Sequence, residues 1–187
     1  MVAPGRRHAV VLVLGGARSG KSAYAERLVL QSGRGSYLAT AEPLDAEMDD
    51  RIRHHRARRG ADWHTIEEPL ALADTLVRIS APDRPVLVDC LTLWLSNLMH
   101  ANRPIAAETA GLVAAFDRLN GPVVLVSNEV GGGLVPDTPL GRAFRDQAGR
   151  LHQAIAAAAD GVVLVTAGLP QILKSPTHSS STPGGFA

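Results

Sequence analysis

The feature that most constrains this chain is a junction near its start. Six apolar residues, Ala9 to Leu14, run unbroken into a glycine turn, and Lys21-Ser22 then open a stretch patterned like a helix. An apolar run without polar alternation is what a strand covered on both faces needs. The turn is rich in glycine, so the backbone can curl until successive N–H groups point inward at an anion. The helix that follows adds its positive end. Residues 15–22 (GGARSGKS) fit the spacing G-x-x-x-x-G-K-[ST], in which Lys21 reaches the terminal phosphates of a nucleotide and Ser22 meets Mg2+.

The rest of the chain repeats the alternation. Strands are expected at His8–Leu14, Ser36–Thr40, His64–Glu67, Val86–Asp89, Val123–Ser127 and Val162–Thr166. Between them, helical patterns cover Lys21–Gln31, Asp45–Arg59, Leu70–Ile79, Leu91–His100, Ala106–Leu119 and Leu140–Ala158. Strands alternating with helices imply βαβ units and an α/β fold with an open, mostly parallel sheet flanked by helices. At 187 residues the chain is one domain, expected to span residues 1–174. The remaining tail, residues 175–187, is polar and expected to be disordered. No repeat is visible.

Composition narrows the partners. A formal charge of +1 gives no global attraction to nucleic acid or to a membrane surface, so phosphate must be bound by a local cluster. The single cysteine, Cys90, excludes an intramolecular disulfide and reads as a buried, inert thiol. The basic-then-apolar start resembles a weak signal peptide, but its apolar run leads straight into the glycine turn and reads as a core strand. No apolar run nears the roughly 20 residues that span a bilayer. A cytoplasmic protein is expected.

Two further segments carry chemistry. Val86–Asp89 ends in a carboxylate at the C-terminal edge of an apolar strand, where an acid can hold Mg2+ directly or through water; such an acid also serves as a helix cap. An N-K-x-D guanine-reading motif is missing, which speaks against a switch GTPase. The segment "DAEMDDRIRHHRARRG" fits a helix with acids near its start, bases near its end and Gly60 just beyond. On it His55 shares a face with Arg51, Arg58 and Arg59, while His54 points about 100° away. Adjacent histidines make a poor helical metal pair, since a shared ligand needs i, i+4. Arginine forks suit polyphosphate, and surrounding positive charge keeps an imidazole neutral and nucleophilic. From the residues alone, a solvated basic face explains the segment equally well. The loop "SNEVGGGLVPDTPLG" follows a strand, where α/β proteins bind ligands, and its Glu129 either lines a site or caps a turn. Trp63 and Trp94 read as packing residues. His8, His64, His100, His152 and His178 have no partner at useful spacing.

Taken in order, "GGARSGKS", "YLAT", "DAEMDDRIRHHRARRG", "WHTIEE", "VLVDCLTLWLSNL" and "VSNEVGGGLVPDTPLGRAFRDQAGRLHQAIAAAAD" resemble the bifunctional adenosylcobinamide kinase/adenosylcobinamide-phosphate guanylyltransferase family of cobalamin biosynthesis. The likeness runs from about Val11 to Lys174. The glycine loop alone is generic; the paired-histidine helix and the SNEVG loop, in this order, are specific.

The resemblance implies a RecA-like P-loop NTPase fold and a homotrimer. It implies that GMP from GTP is carried on His55, with Lys21 the other catalytic residue. Nucleotide contacts carry over to Gly15, Gly16, Ala17, Arg18, Ser19, Gly20, Lys21 and Ser22, to Ala39, Thr40 and Ala41, to Arg56, Ala57, Arg58 and Arg59, and to Glu67 and Asp89. Mg2+ falls to Ser22 and Asp89, and the substrates are ATP or GTP and adenosylcobinamide. The strand-end acid is a glutamate in some members; Asp89 is shorter by one methylene. Two rivals make different predictions: a monofunctional small-molecule kinase gives no covalent nucleotide, and a nucleotide-regulated nucleic-acid binder gives steeply salt-dependent binding.

Overall fold

The structure, a computed structural model, describes residues 8–42, 60 and 62–175. The expected helix Asp45–Arg59 and the tail from residue 176 onward lie outside the described residues. Seven strands form one sheet: β1 (Val10–Gly15), β2 (Gly35–Ala39), β3 (Trp63–Glu67), β4 (Val86–Asp89), β5 (Val123–Asn128), β6 (Gly161–Thr166) and β7 (Leu169–Lys174). Their order is β3-β2-β4-β5-β1-β6-β7. All pairings are parallel except β6 with β7. The helices are α1 (Lys21–Leu30), α2 (Leu72–Ile79), α3 (Leu91–His100), α4 (Ile105–Ala115) and α5 (Pro139–Ala158), with a 3-10 turn at Phe116–Arg118.

The unbroken apolar strands are covered on both sides, as their composition requires. On one face Val10, Leu12, Val86, Val88, Val123 and Leu125 pack against Leu76, Trp94, Leu98, Phe116, Leu151 and Ile155, contributed by α2, α3, α5 and the 3-10 turn. On the other, Val11, Val13, Leu87, Val124, Val126 and Val165 pack against Ala25, Leu28 and Val29 of α1. Trp94 is 1% exposed and donates its indole N–H to the Leu70 carbonyl oxygen at 2.9 Å, so its role is packing, as expected.

Strand β7 was not anticipated. It follows a tight turn at Ala167-Gly168, carries Pro170, and leaves Leu169, Ile172 and Leu173 exposed. An edge strand tolerates a proline because one row of its backbone groups needs no partner. It lacks the continuous apolar signal of the buried strands. At the far end of β7, Lys174 Nζ donates to the carbonyl oxygens of Ala156 and Ala157 at 3.0 and 3.1 Å, neutralising the negative end of α5.

Candidate active site

The glycine loop joins β1 to α1 as the motif requires. Gly15 has no room for a side chain: a Cβ there would lie 2.4 Å from Ser19 Oγ and 2.6 Å from the Val165 carbonyl oxygen. Gly20 sits at φ 94, in the left-handed region, and α1 begins at the next residue. The turn between β6 and β7 backs the loop, Gly168 N–H donating to the Ser19 carbonyl oxygen at 2.8 Å. Lys21 is 8% exposed and donates from Nζ to the Gly16 carbonyl oxygen at 3.2 Å, across the mouth of the loop. The cradle and its lysine are thus set by backbone and packing.

Because β1 to β5 run parallel, their C-terminal ends share one edge of the sheet. Strand register aligns the sequence candidates along it. Ala39 of β2 lies opposite both Glu67 of β3 and Asp89 of β4, and Gly15 lies opposite Asn128 of β5. Strands β5 and β4 separate β1 from β2, so the cradle and Ala39 are three strand spacings apart, roughly 14 Å. Gly15 through Ser22, Ala39 through Ala41, Glu67 and Asp89 therefore line one edge, whereas His55 and Arg56 through Arg59 lie outside the described residues.

Side chains tie this edge together. Thr40 is fully buried; its Oγ1 donates to the Cys90 carbonyl oxygen at 2.8 Å and accepts from the Cys90 N–H at 2.9 Å. Its own carbonyl oxygen accepts from Asn97 Nδ2 of α3 at 2.7 Å. The Thr40 hydroxyl is thus occupied by the backbone of Cys90, the residue that follows β4. Tyr37, 2% exposed, donates its hydroxyl to Asp89 Oδ2. Asn128 Nδ2 donates to Thr92 Oγ1 at 2.9 Å. Cys90 is buried, and that burial, with the Asp89 charge beside it, pushes its thiol up to about 11. This matches the inert thiol expected.

The glycine-rich loop after β5 is held from both ends. Glu129 accepts from the N–H groups of Gly131 and Gly132 at 2.6 and 3.1 Å, so it caps the turn. Arg145 of α5 donates to the Gly131 carbonyl oxygen, and Arg142 donates to those of Pro136 and Asp137 at 3.0 and 2.8 Å. Thr138 caps α5 by accepting from Gly141 N–H at 3.1 Å. His152, which sequence spacing left without a partner, meets Ser127 Oγ through Nε2 at 2.7 Å. Burial lowers its pKa below the ordinary histidine value, with the Glu129 charge acting in the opposite direction.

Tyr37, Asn128 and the Ser127–His152 pair escaped the sequence reading. Alternation along β2 is the one signal that puts Tyr37 on the face that carries Asp89. Among the described residues no group of three or more His, Cys, Asp and Glu gathers to hold a metal. A serine hydroxyl and one carboxylate are hard oxygen donors, and Mg2+ is commonly held by one or two carboxylates with substrate phosphates completing its shell, so Ser22 and Asp89 fit it.

Cradle, lysine and strand-end acid on a mostly parallel sheet define a P-loop NTPase fold of RecA-like architecture. Solved structures agree on the fold. The flagellar accessory protein FlaH of Methanocaldococcus jannaschii aligns at TM-score 0.53 and 13% identity, over 94% of this chain and 82% of that one. A KaiC-like protein of Pyrococcus horikoshii aligns at TM-score 0.52 and 14% identity, over 93% and 82%. The sequence profile of the family described as cobinamide kinase / cobinamide phosphate guanyltransferase matches residues 11–173. The chain belongs to this family, and with it is a transferase. It is 52% identical over 166 residues to the bifunctional adenosylcobalamin biosynthesis protein CobP of Pseudomonas aeruginosa, covering 87% of this chain and 96% of that protein. It is 44% identical over 181 residues to the bifunctional adenosylcobalamin biosynthesis protein CobU of Salmonella typhimurium, covering 88% and 99%. No described helix is long and apolar enough to cross a membrane.

Proposed function

We propose that this chain performs two phosphorus transfers at one nucleotide site in adenosylcobalamin biosynthesis. The observation that carries the reading is the shared sheet edge, where the Gly15–Ser22 cradle, Ala39, Glu67 and Asp89 stand at the ends of neighbouring parallel strands. In the kinase half, the aminopropanol hydroxyl of adenosylcobinamide attacks the γ-phosphorus of ATP or GTP, loses its proton, and the nucleoside diphosphate leaves. Lys21 and the loop N–H groups neutralise charge on the transferring phosphoryl oxygens. In the guanylyltransferase half, a ring nitrogen of His55 attacks the α-phosphorus of GTP and pyrophosphate leaves. A phosphate oxygen of adenosylcobinamide phosphate then attacks the same phosphorus, giving adenosyl-GDP-cobinamide and freeing the imidazole. The cradle serves both halves, since the phosphates it holds are donor in one and leaving group in the other. Arg56, Arg58 and Arg59, which with Ala57 are nucleotide contacts implied by the resemblance, are of the type that binds phosphate bidentately. Mg2+, held by Ser22 and Asp89, would screen the negative charge of the phosphates.

A cytoplasmic location suits a reaction fed by ATP and GTP. Leu134, Val135, Leu140, Leu169, Ile172 and Leu173 are large apolar side chains left exposed, and such surface supports assembly into a homotrimer. The test is to mix the protein with Mg2+ and GTP labelled at the α-phosphate, then denature it. Label that stays on wild type and His54→Ala, is absent from His55→Ala, and is released by acid but not alkali is the expected result. Wild type that binds GTP yet takes no label overturns the guanylyl-histidine step and leaves a monofunctional kinase.

A further inference from the structure

Asp89 does not stand alone at its strand end. Tyr37 lies two residues before Ala39, the residue opposite Asp89, so the two side chains are diagonal neighbours on one sheet face. Diagonal neighbours on one sheet face lie within reach of an aromatic side chain. The Tyr37 hydroxyl donates to Oδ2. Asp89 Oδ1 has no hydrogen-bond partner among the described residues.

The ring of Tyr37 is itself fixed. Trp63 of the edge strand β3 meets it edge-on, the centroids 5.5 Å apart and the planes at 85°. Trp63 reaches Tyr37 across Gly35, its register partner on β2. A Cβ on Gly35 would sit 2.7 Å from Trp63 Cζ3, so the bare glycine is what admits the indole. A chain of contacts therefore runs from the sheet edge to the carboxylate: Gly35 makes room, Trp63 buttresses, Tyr37 donates, and Asp89 is oriented.

We propose that Tyr37 is a positioning residue for this transferase: its hydroxyl fixes one oxygen of Asp89, so that the other is presented to the metal–nucleotide complex in one orientation. The proposal rests on Asp89 belonging to the nucleotide site. Without the donor, the carboxylate is free to rotate, and binding loses the advantage of a prearranged ligand. Since Tyr37 acts through Asp89, removing both should be no worse than removing Asp89 alone.

The experiment titrates Mn2+ into protein with GDP present and reads free Mn2+ by electron paramagnetic resonance, which involves no turnover. Wild type, Tyr37→Phe, Asp89→Asn and the double variant are compared, with thermal melts run alongside. Tyr37→Phe keeps the ring against Trp63 and loses the hydrogen bond. It should weaken Mn2+ binding about tenfold, the order expected from losing a hydrogen bond to a charged group. The double variant should match Asp89→Asn. A Tyr37→Phe midpoint equal to wild type, with a lowered melting temperature, would make the tyrosine merely structural and overturn the proposal. So would effects of the two substitutions that multiply independently. If Asp89→Asn binds Mn2+ as wild type does, the assignment of Asp89 to the site fails, and the proposal falls with it for that separate reason.

Discussion

Thr40→Val tests whether the end of β2 is welded to β4 by one hydroxyl. Valine matches threonine in shape, so the substitution removes two hydrogen bonds and little volume. The Cys90 carbonyl oxygen keeps a second donor, the Trp94 N–H at 3.1 Å. The Cys90 N–H loses Thr40 Oγ1, its acceptor at 2.9 Å, in a fully buried setting. An orphaned buried donor costs about 1–3 kcal/mol, and the second lost bond about 0.5–1.5 kcal/mol. The sum is about 1.5–4.5 kcal/mol, roughly 3–18 °C of melting temperature for a chain of this size. Thr40→Ser is the control: it keeps both hydrogen bonds and loses one methyl, about 1 kcal/mol. Urea denaturation followed by circular dichroism gives both values, and the slope should be unchanged. A valine variant as stable as the serine variant would refute the reasoning.

Two other outcomes follow from perturbed groups. Burial lowers the His152 pKa in the fold, so below the ordinary value of 6.5 the unfolded chain takes up a proton that the native state resists; stability is then lost as pH falls through 6.5 toward the native pKa and is flat above it. His152→Gln should flatten that part of the stability curve between pH 8 and 5 measured by denaturant titration, and parallel curves would sink the assignment. Cys90, with its thiol raised to about 11, should resist a disulfide reagent at pH 8 in the native state and react promptly in urea; equal rates in both would show that the thiol is reachable.

The cradle was legible in the sequence because its information is local: an apolar strand, the glycines, a lysine and a helix lie within a few turns of chain. Strands β1, β4, β5 and β6 were legible for a similar reason, since covering both faces writes a continuous apolar run into each. Strand β7 was not, because an exposed antiparallel edge needs no such run and admits Pro170. The resemblance placed Thr40 among the nucleotide contacts; the fold puts its hydroxyl on Cys90, fifty residues away in sequence. Ser127 and His152 met across twenty-five residues, where no helical or strand period relates them.

What the sequence withheld follows from the strand order. The strand bearing the cradle and the strand bearing Tyr37 are consecutive in the chain, yet β4 and β5 are inserted between them. That insertion sets Asp89 beside β2, with its carboxylate within reach of Tyr37, fifty-two residues away. Motif spacing reports which residue types are present, whereas the pairing register decides which of them act on one another. A strand-end acid can therefore be read from the chain as a candidate ligand, but the group that orients it emerges from the pleat of the neighbouring strand. Gly35 likewise has a role that no motif would suggest: by lacking a side chain at the far end of β2, it lets Trp63 support the tyrosine that holds the acid.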